Sequence, residues 1–484
     1  MTGRIRASAD PATDDPDVAS PSAETSAGAS SRRAALLARF SSEQGGDHKH
    51  LITGSGVLVI GAAVQAVGGM LFSLIVAQGD TKSDFGNASA LFTSVLFVTY
   101  LAGLGLPVSL ARFSADRSRA AHVIFSWGVL ATVVSSVVAA SLYLGLVHPQ
   151  AADVLWDWNP VGGFAVFAVV VLGSAFSLIV DVRCMTMRRW NLVLYRIVLV
   201  SVAKVALIPI GGQSSNRALL LFLYLGAPVA VSGIAGVFML HRVTGSGHAL
   251  TPKPPTARPF VRYSAVNYVS TLAYQAPYFA LPVIVLVNVD ASTNSSFYVA
   301  WGIVAIAFYV PSAIGQALLA EGGKDGAQVR SQVRLAMWLA IGLMAIGSVA
   351  AFLGKSVVIA AYGENYRDAA HILPAMMAAG IPWAITSLYL TEARVLHRNV
   401  VTVIITVTLT VSIIVPALIL VPGEGKGHGL DGASTSWLIG NCIAAVVATA
   451  ATWISRRTPD RGPAGIDPVL PGATPGNPGN LDLA

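Results

Sequence analysis

The chain has 484 residues, 54% of them hydrophobic and only 11% charged, with 31 Lys and Arg against 24 Asp and Glu. A soluble domain carries about 25% charged residues, so these proportions exclude a water-soluble globular protein. The formal charge of +7 comes with neither basic aromatic platforms nor a nucleic-acid reader motif, which excludes a nucleic-acid partner as its meaning.

Residues 1–50 are rich in Ala, Ser, Asp and Pro without periodicity and read as a disordered tail. A membrane span needs about 20 apolar residues to cross about 30 Å of hydrocarbon. Twelve segments meet that need: 51–78, 86–110, 121–147, 160–181, 191–211, 218–240, 263–289, 295–320, 335–353, 370–392, 399–421 and 432–454. With so long a polar lead, the first span reads as an uncleaved internal signal. Segment 241–262, with Thr251-Pro252-Lys253-Pro254-Pro255, is the longest internal connection and reads as a cytoplasmic linker. It divides a six-helix lobe over 51–240 from a second over 263–455, and 456–484 forms another Pro- and Gly-rich tail. Cys184 sits at a span end and Cys442 inside the last span, so no disulfide is expected.

Basic residues set the orientation. With the N-terminus in the cytoplasm, most of the 31 Lys and Arg fall on that side, and the external loops hold only Lys82, Arg217, Lys355, Arg367 and Lys426. Lys and Arg resist translocation, so both termini are predicted to be cytoplasmic.

The two lobes read as copies of one design. Val76 precedes a polar turn and Asp84-Phe85-Gly86, as Val285 precedes a polar turn and Ser296-Phe297-Tyr298. The offset from Val76 to Val285 is 209, as it is from Ala111 to Ala320 and from Arg188-Arg189 to His397-Arg398. Six spans per copy is an even number, so the repeats are parallel, and a moving binding site is expected where they meet.

Ionisable residues inside spans are the best candidates for function, because burying charge in hydrocarbon costs several kcal/mol. The fifth span carries Arg196 and Lys204, about 9 Å and 21 Å from its cytoplasmic end at 1.5 Å per residue. Arg196 reads either as snorkelling to inner headgroups or as a ligand, and Lys204 as facing a hydrated cavity. Asp181, Glu321 and Glu392 lie at cytoplasmic span ends, and no acid lies near the midplane, which points to an anionic substrate such as a phosphate or pyrophosphate. The seventh span carries Asn267, Tyr274 and Tyr278 on one stripe, with Gln275, Pro277, Pro282 and Arg262 at its entry. Such a helix suits a gate around a cavity, although interhelical hydrogen bonding accounts for the same residues. Gln65 in the first span falls within one residue of the repeat equivalent of Gln275.

No zinc-protease helix, paired-cysteine metal spacing, phosphate-binding glycine loop or nucleophile elbow is present, and no cofactor is expected. No loop is large enough for a catalytic domain, so an enzyme is the poorer reading and a transporter the better one.

The run from Asp84-Phe85-Gly86 through Gly103-Leu104-Gly105-Leu106 to Arg112-Phe113 resembles polysaccharide-biosynthesis membrane proteins, as do Leu281-Pro282-Val283, Leu319-Ala320-Glu321-Gly322 and Tyr362-Gly363-Glu364-Asn365-Tyr366. These are flippases for lipid-linked oligosaccharides, in the superfamily that includes multidrug and toxin extrusion transporters and lipid II flippases. The resemblance covers about 51–455. It implies an all-α polytopic bacterial inner-membrane carrier of about 12 helices, whose two lobes flank a cationic cleft. The cleft would hold the diphosphate and sugars of an isoprenoid-linked glycan, with membrane lipids around it and glycosyltransferases or a polymerase of the same pathway as possible partners. Arg112 and Glu321 occupy matching span ends and would serve, with Arg262, as gate or headgroup contacts. Arg196, Lys204, Asn267, Tyr274, Gln275 and Gln65 are the substrate-binding candidates. The alternative is a multidrug or metabolite cation antiporter of the same fold.

Overall fold

The computed structural model describes residues 60–107, 119–147, 150–187, 189–211, 216–244, 257–321, 326–396, 398–423, 425 and 427–457. Side chains at 119–124, 211, 257–267, 269–271, 309–310 and 312–328 lie outside that description. The described chain is built of helices: α1 Ile60–Gly79, α2 Lys82–Ala102, α3 Arg119–Leu146, α4 Asp153–Trp158, α5 Pro160–Thr186, α6 Trp190–Ala206 and α7 Arg217–Thr244 in the first half. The second half holds α8 Ala257–Asn288, α9 Ala291–Glu321, α10 Gly326–Leu353, α11 Lys355–Tyr362, α12 Arg367–Ala378, α13 Gly380–Val395, α14 Asn399–Leu420 and α15 Gly429–Arg457.

Among the described residues, ten helices are long and apolar enough to cross a membrane. The two remaining predicted spans coincide with α8 and α9, of 32 and 31 residues. The predicted tenth span is two helices, α12 and α13, meeting at Ala379 with Pro374 inside α12.

The repeat is written into the helix ends. Gly79 and Asn288, Lys82 and Ala291, Thr186 and Val395, and Trp190 and Asn399 each end or begin corresponding helices, and each pair is 209 residues apart. The turns match in chemistry too. Before α2, Thr81 Oγ1 accepts from the Asp84 N–H at 3.1 Å and donates to the Asp84 carboxylate at 2.5 Å. Before α9, at the same offset, Asp290 accepts from the Thr293 N–H at 3.0 Å and from its hydroxyl at 2.6 Å. One cap is thus built twice with hydroxyl and carboxylate exchanged, each satisfying an otherwise orphaned first-turn N–H. Burial pushes the Asp290 carboxyl up, but hydrogen bonds from the Thr293 side chain and the backbone hold it below its usual range.

Within each half, glycines let helices approach closely. A Cβ on Gly233 of α7 would lie 2.0 Å from the Gly173 carbonyl of α5, and one on Gly440 of α15 would lie 2.5 Å from the Ser412 carbonyl of α14. Small residues drive helix association in lipid by such contact, since the hydrophobic effect does not act there. The halves meet along the equivalent helices α2 and α9, and α8 packs on α2, α9, α14 and α15.

Candidate functional site

Two ends of the helix bundle must be told apart. At the α1–α2 end, a seam joins the halves. The Asn294 amide donates to the Gly86 carbonyl at 3.1 Å, and a Cβ on Gly86 would lie 1.6 Å from the Ala291 carbonyl. Ser73 and Tyr362 hydroxyls share a 3.0 Å hydrogen bond, and Gln78 Nε2 donates to the Ala361 carbonyl at 2.8 Å. Lys82 Nζ lies 4.0 Å from Asp368 and 5.4 Å from the centre of the Tyr366 ring. Phe85 meets Tyr298 edge-to-face at 5.6 Å.

Deeper in, α8 stands between the halves and presents two faces. Towards α2, Tyr268 donates to the Leu101 carbonyl at 2.9 Å, Gln275 donates to the Tyr100 hydroxyl at 3.3 Å, and Phe279 lies 4.1 Å from the Tyr100 ring. Towards the second half, Tyr274 stacks on Trp383 at 5.8 Å and Tyr278 meets Trp301 at 5.0 Å. Trp437 continues this aromatic wall, 6.2 Å from Trp383 and 5.0 Å from Trp301. Gln275 and Tyr274, neighbours in sequence, therefore serve opposite halves.

The cations divide into paired and unpaired. Arg196 on α6 makes a two-pronged ion pair with Asp181 of α5 and reaches Ser232 of α7 at 3.3 Å. The Arg196 guanidinium is thus engaged inside the first half. The helix α5 runs past the predicted span end at 181 to Thr186, which carries Asp181 to the depth of Arg196. Arg183 lies buried within α5 as well. In the second half, Glu392 of α13 is 1% exposed and takes Arg456 of α15 at 2.9 and 2.5 Å. Arginine–carboxylate pairs thus tie helices together inside each half: Arg196–Asp181 and Arg217–Asp80 in the first, Arg456–Glu392 in the second.

Lys204 and Arg394 are among the cations with no carboxylate partner among the described residues. Lys204 is buried 14 residues into α6, about 21 Å at 1.5 Å per residue, with its ammonium 4.8 Å from the centre of the Phe92 ring on α2. Arg394 on α13 is exposed, and its guanidinium lies 5.1 Å from the centre of the Tyr274 ring. Glu392, two residues earlier, is taken by Arg456, and Arg394 instead meets an aromatic partner.

Of the predicted binding residues, the structure joins Tyr274 to Arg394 and Gln275 to α2, and leaves Gln65 exposed on α1 with no hydrogen bond to the others. The side chains of Asn267, Arg262 and Glu321, and all of Arg112, lie outside the described residues. What the described residues offer is an aromatic wall between α8 and the second half with Arg394 beside Tyr274, and a separate buried cation, Lys204, against Phe92 in the first half.

No protein-family profile and no curated protein matches the sequence. Solved structures do. An inward-facing multidrug resistance MATE family transporter of the MOP superfamily is similar over 81% of this chain and 94% of its own, at 16% identity and a TM-score of 0.62. An outward-facing transporter of that description covers 85% and 97%, at 16% identity and a TM-score of 0.57. A MOP superfamily transporter from Pyrococcus furiosus, described by the reverse polarity of its binding pocket, covers 84% and 96%, at 14% identity and a TM-score of 0.56. The chain has the two-lobe, all-helical membrane fold of these transporters.

Proposed function

We propose that this protein is an alternating-access carrier, not an enzyme, that moves an anionic lipid-diphosphate-linked saccharide from the cytoplasmic to the outer leaflet of a bacterial inner membrane. The observation that carries the reading is the charge balance: Asp181 and Glu392 are consumed by Arg196 and Arg456, while Lys204 and Arg394 stay without a carboxylate. A carrier of organic cations needs a free acid at depth; a carrier of diphosphates needs the opposite. The Pyrococcus furiosus neighbour, described by a pocket of reversed polarity, supports the view that this fold accepts either sign. The aromatic wall around Tyr274 and Trp383 suits the apolar faces of sugar rings. With both termini cytoplasmic, the seam at the α1–α2 end is the outer gate, closed, and α8 with Pro277 and Pro282 is the gating helix.

Transport of a fluorescent lipid-diphosphate disaccharide into proteoliposomes tests this. Lys204→Ala and Arg394→Ala should each lower the rate about 10- to 100-fold at equal reconstitution, the loss of a charge-assisted contact worth about 1.5–3 kcal/mol. The second reading, a multidrug or metabolite cation antiporter, draws on the names of the structural neighbours. Ion-gradient-driven efflux of an organic cation that both substitutions leave intact would establish it instead.

A further inference from the structure

The segment joining α10 to α12 breaks the symmetry of the repeat. It consists of Gly354, α11, Gly363 and a 3-10 turn over Glu364–Tyr366. Much of it is exposed, including Val357 and residues 363–365, yet Tyr362 and Tyr366 are buried with their rings 5.8 Å apart. This short stretch and the first turn of α12 receive Ser73, Gln78 and Lys82 of the first half, at Tyr362, at the Ala361 carbonyl, and at Tyr366 with Asp368. The positions 209 residues before the two tyrosines hold Asp153 and Asp157, both exposed on α4. That copy is fastened by the buried Leu155 and packs on α5 and α7 of its own half. One copy therefore belongs to its own lobe, and the other reaches across to the opposite lobe with two buried phenol rings.

The ends of the segment are built to turn. Gly363 adopts φ 94° and ψ 163°, a conformation essentially confined to glycine, although a Cβ there would meet nothing within 4 Å. Backbone conformation, not space, requires the glycine, and it stands between Tyr362 and Tyr366. At the other end Gly354 caps α11, which rests chiefly on α12 and the 3-10 turn. We infer that residues 354–366 form a one-sided strap over the outer mouth, which swings on Gly354 and Gly363 and lifts Tyr362 off α1 before α2 and α9 part. The strap is held by neutral hydrogen bonds and one exposed ion pair, contacts that are individually weak. Behind it, Gly86 sets α2 directly against the α9 backbone, a junction with no slack to open by degrees. The exit therefore has two layers, and an intermediate exists with the strap lifted and the helices still closed. The strap's part in transport rests on the carrier proposed above, whereas its motion does not.

The test uses the full chain in lipid nanodiscs, without cargo, in a background lacking Cys184 and Cys442. Ser73→Cys reports the strap, and Ser89→Cys, buried one turn along α2 from Gly86, reports the helix junction. Gly363→Ala, which disfavours φ 94°, should speed labelling of Ser73→Cys by a water-soluble thiol reagent about tenfold and leave Ser89→Cys unchanged. Gln78→Ala, which removes the bond to Ala361, gives the same reading should Gly363→Ala fail to fold. Both sites speeding together would show one rigid gate, and neither speeding would show a strap that does not swing; either result overturns the inference. Bridging Ser73→Cys to Tyr362→Cys with a reducible bifunctional thiol reagent should then stop transport of the lipid-diphosphate disaccharide until the bridge is reduced. Transport that survives the bridge overturns the strap's part in the cycle. A strap that swings in a chain that carries no such disaccharide, bridged or unbridged, refutes the cargo and leaves the strap standing.

Discussion

Gly86→Leu is expected to abolish closure of the α1–α2 end while leaving each half folded. At this position a first side-chain carbon would fall 1.6 Å from a backbone oxygen of the other half, and no rotamer relieves such a clash. Overpacking of this kind costs about 1–3 kcal/mol or more. Here the whole cost falls on the state in which α2 and α9 touch, so the closed population should drop about 5- to 150-fold. The check is alkylation of Ser73→Cys in a background lacking Cys184 and Cys442. Labelling at Ser73, which bonds Tyr362 across the seam, should accelerate, and transport should fall more than about tenfold. An unchanged alkylation rate with a lowered melting temperature would show that Gly86 serves packing alone.

The second large effect concerns Glu392. Glu392→Gln leaves the Arg456 guanidinium facing a neutral amide in place of its buried carboxylate, and breaking a buried pair from one side costs about 3–5 kcal/mol. The melting temperature in detergent should fall sharply, and Arg456→Gln added to it should restore part of the loss. Glu364→Gln, which breaks the surface pair to Arg367 with side chains 72% and 73% exposed, should leave the melting temperature where it was. Asp181→Asn should behave like Glu392→Gln. Arg196→Ala then lowers stability, and any transport defect it causes follows from that.

Much of the architecture was legible because period and charge act locally. Twelve apolar runs, the bias of Lys and Arg, and the 209-residue offset depend on neighbours in sequence, and the helix ends at Thr186 and Val395 or Trp190 and Asn399 keep that offset. The Asp181–Arg196 pair was legible in principle. The two residues stand seven before and eight after position 188 in a helical hairpin, and residues equidistant from a turn lie opposite each other. Treating 181 as a span end hid this. The Glu392–Arg456 pair joins helices 64 residues apart, and no pattern in sequence announces it. Arg394 was hidden for the same reason: whether a cation is free depends on which acids other chain segments have already claimed.

The distribution of bond strength between the halves and within them has a kinetic consequence. Inside each half, helices are clamped by arginine–carboxylate pairs. Across the seam stand three neutral hydrogen bonds and a 4.0 Å contact from Lys82 to a largely exposed Asp368. Neutral bonds contribute about 1 kcal/mol each and such an exposed ion pair less, so the polar contacts of the seam contribute about 3 kcal/mol against parting. At about 1.4 kcal/mol per factor of ten, those polar contacts slow separation only on the order of a hundredfold. The junction is brittle and the bodies it joins are stiff, an allocation that lets thermal motion split the molecule at one plane many times without loosening either side.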